Sequence, residues 1–345
     1  MATTITKSIG TTARDYATAA LFEAAIPANL LTTDEIWLGE VYNDSELTGT
    51  AGCVITGHTV DATRYIEIKP ASGEGFKDGV DQSTDKLVYT ASHGASFRNT
   101  SGTNYTFDVD NDYVFLRELQ IGHDNYAPIY FNSDGGEIVR CIIFGSEGEA
   151  YTGVVTLSDT ANIINCFVEN QEANTDIVYA GWTTTTGVAV IDCTLMNPSD
   201  ISNSEDCVDR YYGTNTVEGC ALFGCANALD SNITTGDYNG TDDNAVQGAN
   251  SVTSLTFADQ FEGTTSSTVD ARVATGSGLL AANTTHSESG GVDIYGNTRD
   301  ATNPNIGCWE YTAPAGGGRI MSSLAGAGGL AYHGGIAGRG GGLAG

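Results

Sequence analysis

Acidic side chains, amides and aromatic rings gather at two places in this 345-residue chain where chemistry is conceivable. Glu205, Asp206 and Asp209 lie close together and are followed by Tyr211 and Tyr212. Two acids, one protonated and one ionised, can cleave a glycosidic bond, and tyrosine rings stack on sugar faces. The competing reading is a solvated acidic loop, because 43 Asp and Glu residues make some clustering inevitable. At the second place, Asp237, Asn239 and Asp242 alternate oxygen ligands around Gly240, as a calcium loop does. The distal bidentate Glu of such a loop is missing, so an Asx-rich turn is the plainer reading. Asp108-Val109-Asp110-Asn111-Asp112 poses the same choice. His58, His93, His123, His286 and His333 show no metal-ligand spacing, and neither a Gly-x-Ser-x-Gly elbow nor a phosphate loop occurs. No catalytic residue and no cofactor is assigned; the acids stand as candidates.

The elements that must position these groups are strands. Thr, Asn, Ser and Gly dominate the polar residues, which favours strands and turns, and 40% apolar residues suffice for a core. A formal charge of −29, with Lys7, Lys69, Lys77 and Lys86 as the only lysines, argues against nucleic acid and anionic membranes as partners. No run is long and apolar enough to insert into a bilayer, and the opening Met1-Ala2-Thr3-Thr4-Ile5-Thr6-Lys7 lacks the apolar core of a secretory leader. Synthesis in a cytoplasm is the expectation. The eight cysteines include no C-x-x-C pair and sit mostly in apolar patterns, so buried reduced thiols are expected rather than a disulfide framework.

A repeat organises the strands. Val139-Arg140-Cys141-Ile142-Ile143-Phe144-Gly145, Ile164-Asn165-Cys166-Phe167-Val168-Glu169-Asn170, Ile191-Asp192-Cys193-Thr194-Leu195-Met196-Asn197 and Glu218-Gly219-Cys220-Ala221-Leu222-Phe223-Gly224 align on cysteines 25, 27 and 27 residues apart. Each reads as a strand with Cys and an aliphatic on one face, followed by a turn. Leu116-Arg117-Glu118-Leu119-Gln120-Ile121-Gly122 is a variant without Cys, and Tyr65-Ile66-Glu67-Ile68-Lys69 an earlier coil. Repeats of this length mark stacked folds, and an apolar period of 2 excludes helical ones. Propeller blades are longer and a leucine ladder is absent, which leaves a parallel β-helix with the cysteines stacked inside. About nine coils between residues 50 and 285 would rise roughly 40 Å. Asp15 to Pro27 supplies a short amphipathic helix to cover the first coil, and Glu35-Ile36-Trp37-Leu38-Gly39-Glu40-Val41 reads as a first strand.

On these residues the chain resembles the right-handed parallel β-helix family, the pectin-lyase-like fold of pectin-degrading enzymes and phage tailspikes. Ser8-Ile9-Gly10 and Arg14-Asp15-Tyr16 resemble its opening segment. Asp293-Ile294-Tyr295-Gly296-Asn297-Thr298-Arg299 with Ile306-Gly307-Cys308-Trp309-Glu310 resembles the terminal D-x-x-G-x-x-R and G-A-x-E signature, with Cys308 at the usual Ala. Asp270-Ala271-Arg272-Val273-Ala274-Thr275-Gly276-Ser277-Gly278 is similar to the last-coil pattern, with Gly278 replacing Pro. The resemblance implies an all-β fold, a right-handed single-stranded parallel β-helix with an N-terminal capping helix, to which the composition adds a Gly-rich C-terminal tail. It spans about residues 8 to 311 and leaves function open. Asn174-Thr175-Asp176 and Asp242-Asp243 superficially resemble polygalacturonase motifs, but no Gly-His-Gly follows and no lysine lies beyond Lys86. Pectate-lyase chemistry would need a basic residue on a strand face, and such residues are few and scattered.

The chain divides into residues 1–48, an N-terminal segment with the capping helix; 49–311, the β-helix; and 312–345, a Gly-rich tail. Hexads in the tail begin at Leu324, Leu330 and Ile336, with a remnant at Leu343. Regularly placed aliphatics on a bare backbone suit docking into a groove, with Arg339 among the contacts; a flexible linker is the alternative. Together these readings point to a non-enzymatic phage virion protein, made in a host cytoplasm and displayed on the virion surface. It would be attached to other virion proteins by its tail as capsid decoration or tail fibre. The alternative is a tailspike-like protein binding or degrading a host-surface glycan with lateral carboxylates. A homotrimer is implied only by the resemblance.

Overall fold

The computed structural model describes residues 1–310 apart from 83, 101–103, 146–152, 172–174, 182–186, 199–205, 211–212, 234, 245–247, 281–290 and 301–303. Among these residues three parallel sheets wrap one core. Sheet I, nine-stranded, stacks Thr3–Ile9, Glu35–Val41, Ile66–Pro70, Val114–Arg117, Glu137–Val139, Asn162–Ile164, Ala189–Ile191, Thr216–Glu218 and Thr235–Asp237 in chain order. Sheet II, eight-stranded, runs from Leu47–Gly49 through Ser96–Asn99, Gln120–His123, Ile142–Gly145, Phe167–Asn170, Thr194–Met196 and Ala221–Phe223 to Gly240–Thr241. Sheet III, seven-stranded, runs from Cys53–Thr56 through Phe107–Asp110, Ile129–Asn132, Val155–Ser158, Val178–Ala180 and Asp206–Arg210 to Asn227–Leu229. Each coil visits the sheets in turn and pairs only with the coils above and below it, which is the topology of a parallel β-helix.

Each expected cysteine strand is two short strands joined at a corner. Val139 ends a sheet I strand, Arg140 turns the chain, and Ile142 begins sheet II. The turning residue is left-handed in every coil of this series: Glu118, Arg140, Asn165, Asp192 and Gly219 have φ of 57°, 52°, 53°, 51° and 67°. Asn, Asp and Gly tolerate that conformation cheaply, whereas Glu and Arg do not. Here Glu118 and Arg140 stack as an ion pair at 2.5 Å, with Lys77 2.7 Å from Glu118. The corner aims the next side chain inward, so Cys141, Cys166, Cys193 and Cys220 stack fully buried. The amide of each of the first three donates to the sulfur above it, at 3.3, 3.4 and 3.5 Å.

The expectation of reduced thiols holds for Cys53, Cys141, Cys166, Cys193, Cys220 and Cys308 and fails for Cys207 and Cys225, which form a disulfide. Those two lie outside the ladder, on a sheet III strand and on the turn that leads to its neighbour one coil on.

The first coil is covered by α1 (Ala19–Glu23), capped by the Thr18 hydroxyl, and by α2 (Leu30–Thr33). Phe22 of α1 is buried against Trp37, ring centroids 5.9 Å apart, and His58 ties α1 to the column through Glu23 at 3.1 Å. Stacking begins at Thr3, earlier than Glu35.

At the far end the column stops at Gly240–Thr241. The pattern expected to form a last coil, Asp270 to Gly278, does something else. Asp270–Val273 pairs antiparallel with Phe261–Gly263 outside the column, after α3 (Phe257–Gln260). The described residues from α3 to Glu310 return along the outer face of sheet II. That face is apolar: Ile142, Phe167, Met196, Ala221 and Phe223 form a second core with Phe261, Ala271, Leu279, Ile294 and Ile306. The last-coil pattern gives a strand at Asp270–Val273, but this buried surface decides where it lies. The return is pinned by Asp270 accepting from the Leu87 amide at 3.0 Å, and by the Cys308 amide donating to Thr194 at 3.1 Å.

Candidate functional site

The acidic candidates divide between described and undescribed residues. Glu205, Tyr211 and Tyr212 lie outside the described residues. Asp206 and Asp209 belong to the sheet III strand Asp206–Arg210, where Val208 points into the core. Val208 is in register with Leu229, so the next residues, Asp209 and Asp230, stand side by side one coil apart on the outer face. Asp206, Asp209 and Asp230 each bring one oxygen within 4.8 Å of the others. That spacing would accept a divalent cation.

Burial, and after it the hydrogen bond shared with Asp230, pushes the Asp209 carboxyl up to about 6. Asp230 is held below the usual range, although burial alone would raise it, by hydrogen bonds from the Asn232 amide at 2.7 Å, from Asp209 and from the Asn232 side chain. One member of the pair is thus protonated in mild acid while the other stays ionised. Glycosidases keep their two carboxyl groups at least about 5 Å apart, because the sugar must fit between them. A directly hydrogen-bonded pair leaves no such gap. Tyr179, level with Asp209 on the neighbouring strand, is only 2% exposed and presents no face for stacking.

The calcium-like turn is dispersed. Asn239 points inward and ends the cysteine ladder, accepting from the Cys220 amide at 2.9 Å and donating to the Val217 carbonyl at 2.9 Å. Asp237 holds Asn250, at 2.8 Å to its amide and 2.7 Å to its side chain. Asp242 accepts from the Gly224 amide at 3.1 Å and is pushed up to about 6 by burial. These three side chains bond in three directions. The terminal signature is likewise structural. Arg299, 5% exposed, donates to Val292, Asn305 and Gly307 carbonyls and to Asn165 Oδ1 at 2.8 Å, and lies 3.8 Å from Glu310. Leu324, Leu330, Ile336, Arg339 and Leu343 of the tail lie outside the described residues.

A concave feature escaped the sequence reading. Between sheet II and the returning chain lies a cavity of about 340 Å³, bounded by Tyr89, Arg98, Phe144, Glu169 and the hydroxyl-bearing turn at Ser266 and Ser267. Arg98, Gly122, Phe144 and Glu169 occupy one row on successive strands. The Phe144 ring lies over Gly122, where any Cβ would collide with it. Glu169, 2% exposed, accepts from Gln171 at 3.1 Å, and burial pushes its carboxyl up to about 7. A signal was present in the repeat: the corresponding positions in the other cysteine units are Phe144, Met196 and Phe223, so Glu169 is the one acid in an apolar row.

The strand order and stacked register define a right-handed parallel β-helix. No protein-family model matches the sequence, and a comparison with curated proteins finds no match. Among solved structures the chain is similar to a pectin methylesterase from carrot, at 12% identity and a TM-score of 0.41 over 72% of this chain and 82% of that one. It is also similar to a pectate lyase, Pel9A, at 9% identity and a TM-score of 0.44 over 90% and 97%. The likeness is one of architecture, and nothing about activity follows from it.

Proposed function

We propose that the protein is a structural component of a virion: an acidic β-helix on the particle surface, held there by residues 312–345, as capsid decoration or a tail-associated fibre. The observation that carries this reading is how the column uses its functional-looking side chains. Asn239 closes the cysteine ladder, and Asp270, Arg299 and Glu310 secure the returning chain. Asp209 and Asp230 are joined too closely to straddle a glycosidic bond. What remains is a stiff acidic shaft, which carries all the acidic residues of a chain of charge −29 and so opposes association with its neighbours and with anionic surfaces. The tail holds no acidic residue and carries Arg319 and Arg339, which suits it to hold other virion proteins. Deleting 312–345 tests this directly. The truncated chain is expected to keep its β-sheet circular dichroism and its unfolding midpoint but to stop sedimenting with particles assembled without the protein. Undiminished binding of the truncated chain would overturn the reading.

A second reading, a glycan-binding or glycan-degrading spike, is favoured by one observation: Asp209 and Asp230 hold their protons differently on an outer face. Cleavage would need another acid at a longer distance. On this reading Asp209→Asn abolishes sugar release from a host-surface polysaccharide. Absence of release by the unaltered protein from any such glycan removes it.

A further inference from the structure

We propose that the cavity beside Glu169 is a receptor for a primary alkylammonium group, carried by a free amine or by a lysine side chain of a partner, with Glu169 as its counter-ion. This goes beyond the virion reading and does not depend on it. The cavity, at about 340 Å³, is at the small end of ligand pockets and larger than an alkylammonium chain needs.

Glu169 is the reason to expect a cation. A carboxylate can accept about four hydrogen bonds, yet Gln171 Nε2 is the one partner Glu169 has among the described residues. A buried acid with unfilled acceptor sites is costly in its charged form, and a charged donor offsets that cost most fully. An ammonium group entering the cavity would supply up to three N–H donors. The rings beside Glu169 favour the same ligand. Tyr89 and Phe144 meet with centroids 4.5 Å apart at 58°, and aromatic faces attract cations. Arg98 already uses this property, its guanidinium carbon lying 5.3 Å from the Phe144 centroid.

The basic residues around the cavity leave room for this ligand. Arg98 is bonded to Asp124 at 2.6 Å and lies 4.0 Å from Glu46, so its charge is compensated. Lys86 also lines the cavity and is exposed. It supplies the discriminating control, because an anionic ligand would depend on Lys86 whereas an ammonium would be repelled by it. Ser266 and Ser267 also line the cavity, and hydroxyl groups can accept from an ammonium.

Calorimetric titration of the full chain at pH 8 tests the assignment with three probes: cadaverine, an Nα-acetyl-lysine amide, and pentanoate as the anion of similar length. Binding of either amine, at least tenfold weaker in Glu169→Gln and not weakened in Lys86→Ala, supports the proposal, and the tighter amine identifies the source. Absence of amine binding overturns it, as does affinity unchanged in Glu169→Gln, or binding of pentanoate that Lys86→Ala abolishes. Tyr89→Leu provides a second variant at the cavity wall, with weaker amine binding expected. Unfolding midpoints of the variants establish that each is folded.

Discussion

The outer faces of sheets II and III are built from the same coils and have opposite fates. On sheet II the outward row Phe144, Glu169, Met196, Phe223 is apolar but for one acid, and the described residues from α3 to Glu310 fold back over this face. On sheet III the neighbouring outward positions Asp209 and Asp230 are acidic, and the pair is only partly buried. Outward side chains of a β-helix do not shape the coil, because the inward aliphatics and the corner residue do that. Each outer face is therefore free to become a second core or a charged surface, and its row of side chains decides which.

The largest expected effect breaks the sheet II arrangement. Arg299→Ala removes the group that satisfies Asn165, Gly307 and Glu310. Removing one partner from a buried ionic network costs about 3–5 kcal/mol. Denaturant unfolding should show that loss, accompanied by binding of a hydrophobic dye to the uncovered face.

Glu169→Gln sharpens the comparison next. An acid whose folded-state pKa is raised binds its proton more tightly in the folded protein, so stability is greatest below the ordinary value near 4.5. It is lost as pH rises from there to about 7 and is constant above. The loss is on the order of 3 kcal/mol. Glu169→Gln should therefore be more stable than the unaltered protein by that order at pH 8 and equal to it at pH 4. Unfolding free energies measured across this range check both the size and the sign.

On sheet III the corresponding change is smaller. Asp209 is partly solvated, and neutralising it with Asp209→Asn should alter stability by less than about 1 kcal/mol at pH 8. The direction is stabilising, because Asp209 is raised by burial and by Asp230, and its ionised form is the disfavoured one. The same unfolding series on this variant should differ from that of the unaltered protein only by the part of the pH dependence between about 4 and 6 that Asp209 contributes, with the share of Glu169 and Asp242 retained.

The stacked architecture was legible because the four cysteines mark equivalent positions at nearly constant spacing, and an inward ladder must repeat. The corner between two sheets was not, since Val139 to Gly145 reads as one uninterrupted strand. A left-handed Arg140 has no local signature. The returning chain was misread for a related reason: Asp270 to Gly278 reads as a last coil on its similarity to a family pattern, and a local pattern does not say which surface a strand will meet. Of the acidic cluster, Asp206 and Asp209 were visible, whereas Asp230 required the register that places one coil on another. Cys207 and Cys225 pair for the same reason, through coils rather than through spacing. Glu169 could have been found, since aligning the repeats exposes it as the acid among Phe144, Met196 and Phe223.

Hydrogen exchange on the unaltered protein and on Arg299→Ala tests most directly whether the returning chain seals one face of the column. The expected result is a selective loss of amide protection in the sheet II strands Ile142–Gly145, Phe167–Asn170 and Thr194–Met196 and in residues 291–299, with the sheet III strands Ile129–Asn132 and Val155–Ser158 unchanged. Equal loss in both sheets, or none in either, would contradict the account.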